Sequence, residues 1–202
     1  IWVWDNAFSN NLNLVYNNML IAKYDFYVDN TPPITVDNSS ENGWINFDVL
    51  ISLSCTDYMG NQSGAGCDKT LYCVDGNNTC FPIQVYTSPI LVNCTQGSFC
   101  IKYVRYFSND TVNNTEDLNH SHQLKIDKEI PSVLVYTPIE GENISGSFDI
   151  NVSANDLASG IKKVNFSISN STWSSDSYDL INLGNYWIGS FDTENLTDGS
   201  YN

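Results

Sequence analysis

The chain has 202 residues, with 23 acidic and only 8 basic side chains, a formal net charge of −15 at pH 7, and 42% hydrophobic residues. So acidic a chain cannot neutralise phosphates and is repelled by an anionic membrane surface, which argues against nucleic acid as a partner and leaves cations and glycans. The apolar content suffices for one or two packed domains of about 100 residues each, and no apolar run approaches the roughly 18 to 20 residues of a membrane span.

In chain order, Ile1 to Trp4 alternate as a strand, a polar turn runs through Asp5 to Asn11, and Ala22 to Val28 read as a second strand. Asp29-Asn30-Thr31-Pro32-Pro33 stops it, because the double proline cannot donate to a ladder and holds the chain extended as a semi-rigid linker. Strands are expected next at Phe47–Cys55, Leu71–Val74, Ile83–Tyr86, Ile90–Asn93, Phe99–Phe107 and Gln123–Asp127, before a second linker, Lys128-Glu129-Ile130-Pro131. Beyond it the rhythm restarts with Val133–Tyr136, Ser147–Ala154, Ile161–Ser169 and Tyr186–Phe191. No stretch carries helical periodicity, so the fold class is all-β, with short strands spaced as in sandwiches or barrels.

The two halves repeat each other. Phe47-Asp48-Val49, Cys55-Thr56-Asp57 and Ser63-Gly64 correspond to Phe148-Asp149-Ile150, Ala154-Asn155-Asp156 and Ser159-Gly160. Val28-Asp29 with Pro32 corresponds to Ile126-Asp127 with Pro131, and the segment ending at Asp110 corresponds to Tyr201 read on into Ile1 to Asp5. Asp29 and Asp127 are 98 residues apart, and 104 residues run from Asp127 round through the joined ends to Asp29. The 202 residues therefore read as one period of a longer array, in which Asp198 to Asn202 and Ile1 to Asn6 form a single strand. Tyr201, Ile1 and Val3 share one face of that strand, and Asn202, Trp2 and Trp4 share the other.

With the opener Val28-Asp29-Asn30-Thr31-Pro32-Pro33, the loop Ser54-Cys55-Thr56-Asp57 followed by Ser63-Gly64-Ala65-Gly66, and the turn Val3-Trp4-Asp5-Asn6-Ala7, the chain resembles the Ig-like extracellular repeats of bacterial and archaeal surface proteins. The resemblance covers the whole chain through turn and linker motifs. Asn109-Asp110-Thr111-Val112 departs from it, lacking the Asp-Asn-Ala form. It implies tandem Ig-like β-sandwiches in a head-to-tail array: residues 31–127 one disulfide-bearing domain, residues 128–202 a second lacking its last strands, and residues 1–30 the terminal strands of a domain begun in a preceding repeat.

All six cysteines lie between 31 and 128, and an even number without a Cys-X-X-Cys pair favours disulfides over zinc. A hairpin about Gly76-Asn77 sets Cys73 opposite Cys80, Cys94 and Cys100 are symmetric about Gly97, and Cys55 with Cys67 closes the Asp57 loop. Each short loop contributes about 2 to 3 kcal/mol. Twelve of 27 asparagines stand in Asn-X-Ser/Thr: Asn38, Asn61, Asn77, Asn93, Asn109, Asn113, Asn119, Asn143, Asn151, Asn165, Asn170 and Asn195. Random pairing gives about five, so the excess points to a secreted chain carrying N-linked glycans, most of these asparagines facing solvent.

Motifs for catalysis are absent: no Gly-X-Ser-X-Gly, phosphate-binding glycine loop or His-Glu-X-X-His occurs, and the chain reads as not an enzyme, with no cofactor required. His120 and His122 share a strand face but have no third ligand beside them, and read as solvated. Asp29, Asp57 and Asp110 match Asp127, Asp156 and Asp5, and a sandwich brings linker and loop aspartates to one pole. Such a cluster could hold calcium, which takes six to eight oxygens; the alternative is that each Asp caps its own turn. Trp2, Trp4, Trp44, Trp173 and Trp187 read as packing or inter-subunit contacts before a glycan platform. Two functions follow: a structural repeat of an extracellular, glycosylated cell-surface fibre or stalk whose partners are adjacent identical repeats, or an adhesin or glycan-binding module carried on such a stalk.

Overall fold

The structure, a computed structural model, describes residues 2–4, 19–21, 26–39, 43–60, 62–117 and 120–202. These are all strand, turn and loop, and no helix among them is long and apolar enough to cross a membrane. The first hairpin pairs β1 (Trp2–Trp4) with β2 (Met19–Ile21), Trp2 opposite Ile21. The second strand thus precedes the expected Ala22–Val28, of which Phe26, Tyr27 and Val28 are outside any strand and exposed, and residues 22–25 lie outside the described residues.

Among the described residues, eleven strands follow between the linkers: β3 (Ile34–Asp37), β4 (Trp44–Ile45), β5 (Val49–Ile51), β6 (Leu53–Thr56), β7 (Tyr58–Met59), β8 (Gln62–Ser63), β9 (Cys67–Asp75), β10 (Gln84–Val85), β11 (Ile90–Val92), β12 (Phe99–Asp110) and β13 (His120–Asp127). One layer is the sheet β10-β9-β12-β13-β4, and the other is formed by the pairs β3-β6 and β5-β11. The single strand expected over Phe47–Cys55 is two, because the chain changes partner at Ser52: β5 pairs β11 and β6 pairs β3. Alternation delivers the core between the layers: Ile51 and Leu53, Ile90 and Val92, Val104 and Tyr106, Leu124 and Ile126. Each such aliphatic side chain contributes about 1.5–3 kcal/mol by leaving water.

After Pro131 come β14 (Ser132–Thr137), β15 (Ser147–Asn155), β16 (Asn165–Phe166), β17 (Tyr178–Asp179), β18 (Ile181–Asn182) and β19 (Trp187–Asp192). They form a sheet β14-β15-β19-β18 and a facing pair β16-β17 around Ile150, Val152, Leu180 and Trp187. Of the strand expected over Ile161–Ser169, Asn165 and Phe166 form a ladder with β17, and Ser169 makes only isolated contacts, with Ser174 and Asn202. A strand exists only where it has a partner, and this one faces an open groove on its other side.

Candidate cation site and interdomain joints

Asp29, Asp57 and Asp110 each direct one carboxylate oxygen into a space where all three lie within 4.8 Å of one another. Asp29 ends the first linker approach, Asp57 opens the β6–β9 loop, and Asp110 closes β12, so three distant segments meet at one pole. The loop is fixed by the Cys55–Cys67 disulfide across its base, with Cα atoms 6.3 Å apart. Asp57 Oδ2 accepts from Gly66 N at 2.6 Å, while its Oδ1 is buried with no hydrogen-bond partner. A Cβ at Gly64 would stand 2.6 Å from Asp57 Cγ, so any side chain there displaces the carboxylate. Asp110, 1% exposed, accepts from Val112 N and Asn114 N on one oxygen and from Asn114 Nδ2 on the other, and that same amide donates to Asp29 O at 3.1 Å. Oxygen donors at this separation are the set that hard cations such as calcium take, and the unpartnered Asp57 oxygen is the one the turn hydrogen bonds leave over.

The linker aspartates build the same joint twice. Asp29 accepts from Thr31 N at 3.0 Å and, across the chain, from Ala65 N at 2.6 Å. Asp127 accepts from Glu129 N at 3.0 Å and from Ser159 N at 3.1 Å. Each thereby ties a linker to a loop further along the chain, at Ala65 and at Ser159, and the two loops correspond in sequence. The Thr31 hydroxyl, then the Ala65 and Thr31 amides, hold the Asp29 carboxyl below its ordinary value; Ser159, foremost, does so for Asp127, helped by the Glu129 amide. Asp156 caps its own turn, accepting from Ala158 N and Gly160 N. Asp5, the expected third member at the second joint, lies outside the described residues.

The disulfides are Cys55–Cys67, Cys73–Cys80 and Cys94–Cys100, the pairing derived from the spacings. The hairpin behind the second of them differs from expectation. Tyr72 is opposite Gln84 and Leu71 opposite Val85, so Cys80 lies beyond the ladder rather than across from Cys73. Asp75 makes up the difference, its carboxylate taking the amides of Asn78, Thr79 and Cys80 at 2.8–2.9 Å and curling the loop back onto β9.

The histidines are not simply solvated. His120 Nε2 lies 3.0 Å from Glu116 Oε1 and its ring stacks on Tyr106, while His122 Nδ1 lies 3.5 Å from Asp37 Oδ1. Glu116, 6% exposed, is a structural residue that sequence reasoning missed: it accepts from Thr35 N at 2.6 Å and Ser108 N at 2.9 Å, stapling β3 to β12. Nothing in Asn114-Thr115-Glu116-Asp117 marks it, because its partners are 81 and 8 residues away. Trp187 is in the C-terminal core, Trp44 stands edge-on to Phe99 and Trp173 to Tyr201. The side chains of Trp2 and Trp4 lie outside the described residues.

Of the sequons, Asn38, Asn77, Asn93, Asn113, Asn143, Asn165 and Asn195 are exposed. Asn151 and Asn170 are half-buried, Asn151 because β15 is flanked on both edges by β14 and β19. Asn109 is buried, with its amide donating to Asp68 Oδ2 and Asp110 O. Asn61 and Asn119 lie outside the described residues.

Strand layers closed around a core, antiparallel but for the β4–β13 pair, define the described residues as all-β. Residues 131–202 match the family described as a bacterial Ig domain, so the resemblance to Ig-like repeats read from linker and turn motifs holds for the C-terminal unit. No curated protein and no solved structure matches the chain.

Proposed function

We propose that this chain is a structural, non-enzymatic repeat unit of an extracellular, glycosylated cell-surface fibre or stalk, joined head-to-tail to identical repeats. The observation that carries the reading is the joint made twice, Asp29 to Ala65 and Asp127 to Ser159. Two charge-assisted bonds across a proline-braced linker hold consecutive sandwiches at a set angle, which a stalk needs and a loosely strung set of domains does not. Three disulfides fit an oxidising, extracellular setting, and the exposed sequons offer glycan sites on both units. Calcium at Asp29, Asp57 and Asp110 is part of the proposal, drawing the linker, the Asp57 loop and the β12 end together. The test is the distance distribution between spin labels placed on the two units. The native chain gives one narrow distribution and Asp127→Ala a broad one; a native distribution as broad as that of the variant would remove the stalk reading.

A further inference from the structure

The outer face of the sheet β14-β15-β19-β18 is apolar. Ile150, Val152 and Trp187 point into the core, so the residues that alternate with them point away from it. On that outward side Leu134 is opposite Ser153, Thr137 is opposite Asn151, and Ile188 is opposite both Asn151 and Ile181. The bond from Leu183 N to Tyr186 O extends the β18–β19 pairing, and the Tyr136 and Tyr186 rings meet edge to face over β15 with centroids 5.6 Å apart. Leu134, Tyr136, Ile181, Leu183 and Tyr186 are 45–65% exposed, a contiguous apolar face of the kind that marks a contact surface.

Asn151 stands in the middle of this face, on a strand flanked by β14 and β19. It opens Asn151-Val152-Ser153, an N-glycan acceptor. Asn is a poor strand former, and here its Oδ1 is buried with no hydrogen-bond partner. A buried, unpaired amide oxygen is unfavourable, and native folds keep few of them. The amide nitrogen, where a sugar is joined, is the end that this half-buried side chain leaves to solvent. The unit between the linkers repeats the arrangement. Ile51, Ile90 and Val92 face its core, so Leu50 and Leu91 turn outward, opposite each other and each 59% exposed. Asn93, the next outward position after Leu91, is exposed and opens Asn93-Cys94-Thr95.

We infer that Asn93 and Asn151 carry N-linked glycans whose first sugars lie along these two faces, with the C–H sides of the rings on the apolar side chains and the hydroxyls toward water. Positions two apart on a strand are separated by about 7 Å and cross-strand neighbours by about 5 Å, so each glycan starts within contact range of the side chains it covers. A second copy of the chain is the poorer occupant, since two surfaces of net charge −15 repel while a neutral sugar meets no such barrier. The glycan comes from a phosphate-activated oligosaccharide through a separate transferase: the bond from Asn Nδ2 to the anomeric carbon forms as the carbon–oxygen bond to phosphate breaks, the phosphate leaves with the electron pair, and Nδ2 gives up one proton. The inference rests on the reading of the chain as glycosylated and says what two of the glycans do.

The test is hydroxyl-radical footprinting of the full chain purified with its own glycans, beside Ser153→Ala and Thr95→Ala chains from the same cells, which lose the acceptor hydroxyl and keep the asparagine. Oxidation follows exposed area, so Leu134, Tyr136 and Tyr186 are expected to react roughly threefold faster in Ser153→Ala, and Leu91 to do so in Thr95→Ala. Ile83 and Leu157, 74% and 71% exposed and off these faces, are expected to hold constant in both, which also reports that the variants fold; Asn151→Gln and Asn93→Gln should repeat the two results. An Asn93 or Asn151 without a glycan overturns the inference. So does oxidation that is the same with and without the acceptor: if fast, the faces are bare, and if slow, a second copy covers them. Bare faces on a chain glycosylated elsewhere sink this inference alone, a chain with no glycan anywhere removes the glycosylated reading as well, and the spin-label test of the joints is independent of both.

Discussion

Gly64→Ala tests the geometry of the aspartate pole directly. An added Cβ would lie 2.6 Å from Asp57 Cγ and 2.7 Å from its Oδ1, separations that real Cβ contacts do not show, so the carboxylate must swing out. It then loses the 2.6 Å bond from Gly66 N, worth about 1.5–3 kcal/mol for a charged acceptor. For a unit of about 100 residues, each kcal/mol lowers the melting temperature by about 4–8 °C. The swing also withdraws an oxygen from the cluster. Calcium at about 100 times its dissociation constant stabilises a native site by about 2.7 kcal/mol, and that increment is expected to vanish in the variant. Gly60→Ala is the control, placed in the same loop at φ +63 with nothing within 4 Å of its Cβ; it carries backbone strain of about 1–2 kcal/mol and keeps the native calcium response. Thermal melts with calcium and with chelator check both halves. A Gly64→Ala chain that melts with the native midpoint and the native calcium response would refute the reasoning.

Three further outcomes are expected. Asp29 and Asp127 have folded-state values below their ordinary 3.8, so their bonds stabilise the joints above that value and are lost as pH falls through the lowered ones; the spin-label distribution should stay narrow from neutral pH down to about pH 4 and broaden only below 3.8. Glu116→Ala strands the buried Thr35 and Ser108 amides and is expected to cost about 3–5 kcal/mol in urea unfolding, against under about 0.5 kcal/mol for the exposed neighbour in Asp117→Ala. Glycopeptide mapping of native material should find glycans at exposed sequons such as Asn143 and Asn195 and none at Asn109, whose amide is already spent on Asp68 and Asp110; a glycan there would contradict the burial.

The sequence by itself determined what depends on neighbours in the chain. Strand alternation placed most strands to within a few residues, short spacings paired the cysteines, and the repeated Asp-to-Pro linkers located both joints. The aspartates Asp29, Asp57 and Asp110 were nameable because each recurs at a matching place in the other half. Tertiary structure decided whatever depends on partners far along the chain. The change of sheet at Ser52 is invisible to a periodicity that stays unbroken through it, since both halves of Phe47–Cys55 face the same core. Cys80 lies off the ladder because Asp75 gathers three amides into a wider loop, a capture that spacing does not encode. The roles of Glu116, His120 and His122 arise only where β3, β12 and β13 come together, since a buried carboxylate is defined by the amides that surround it.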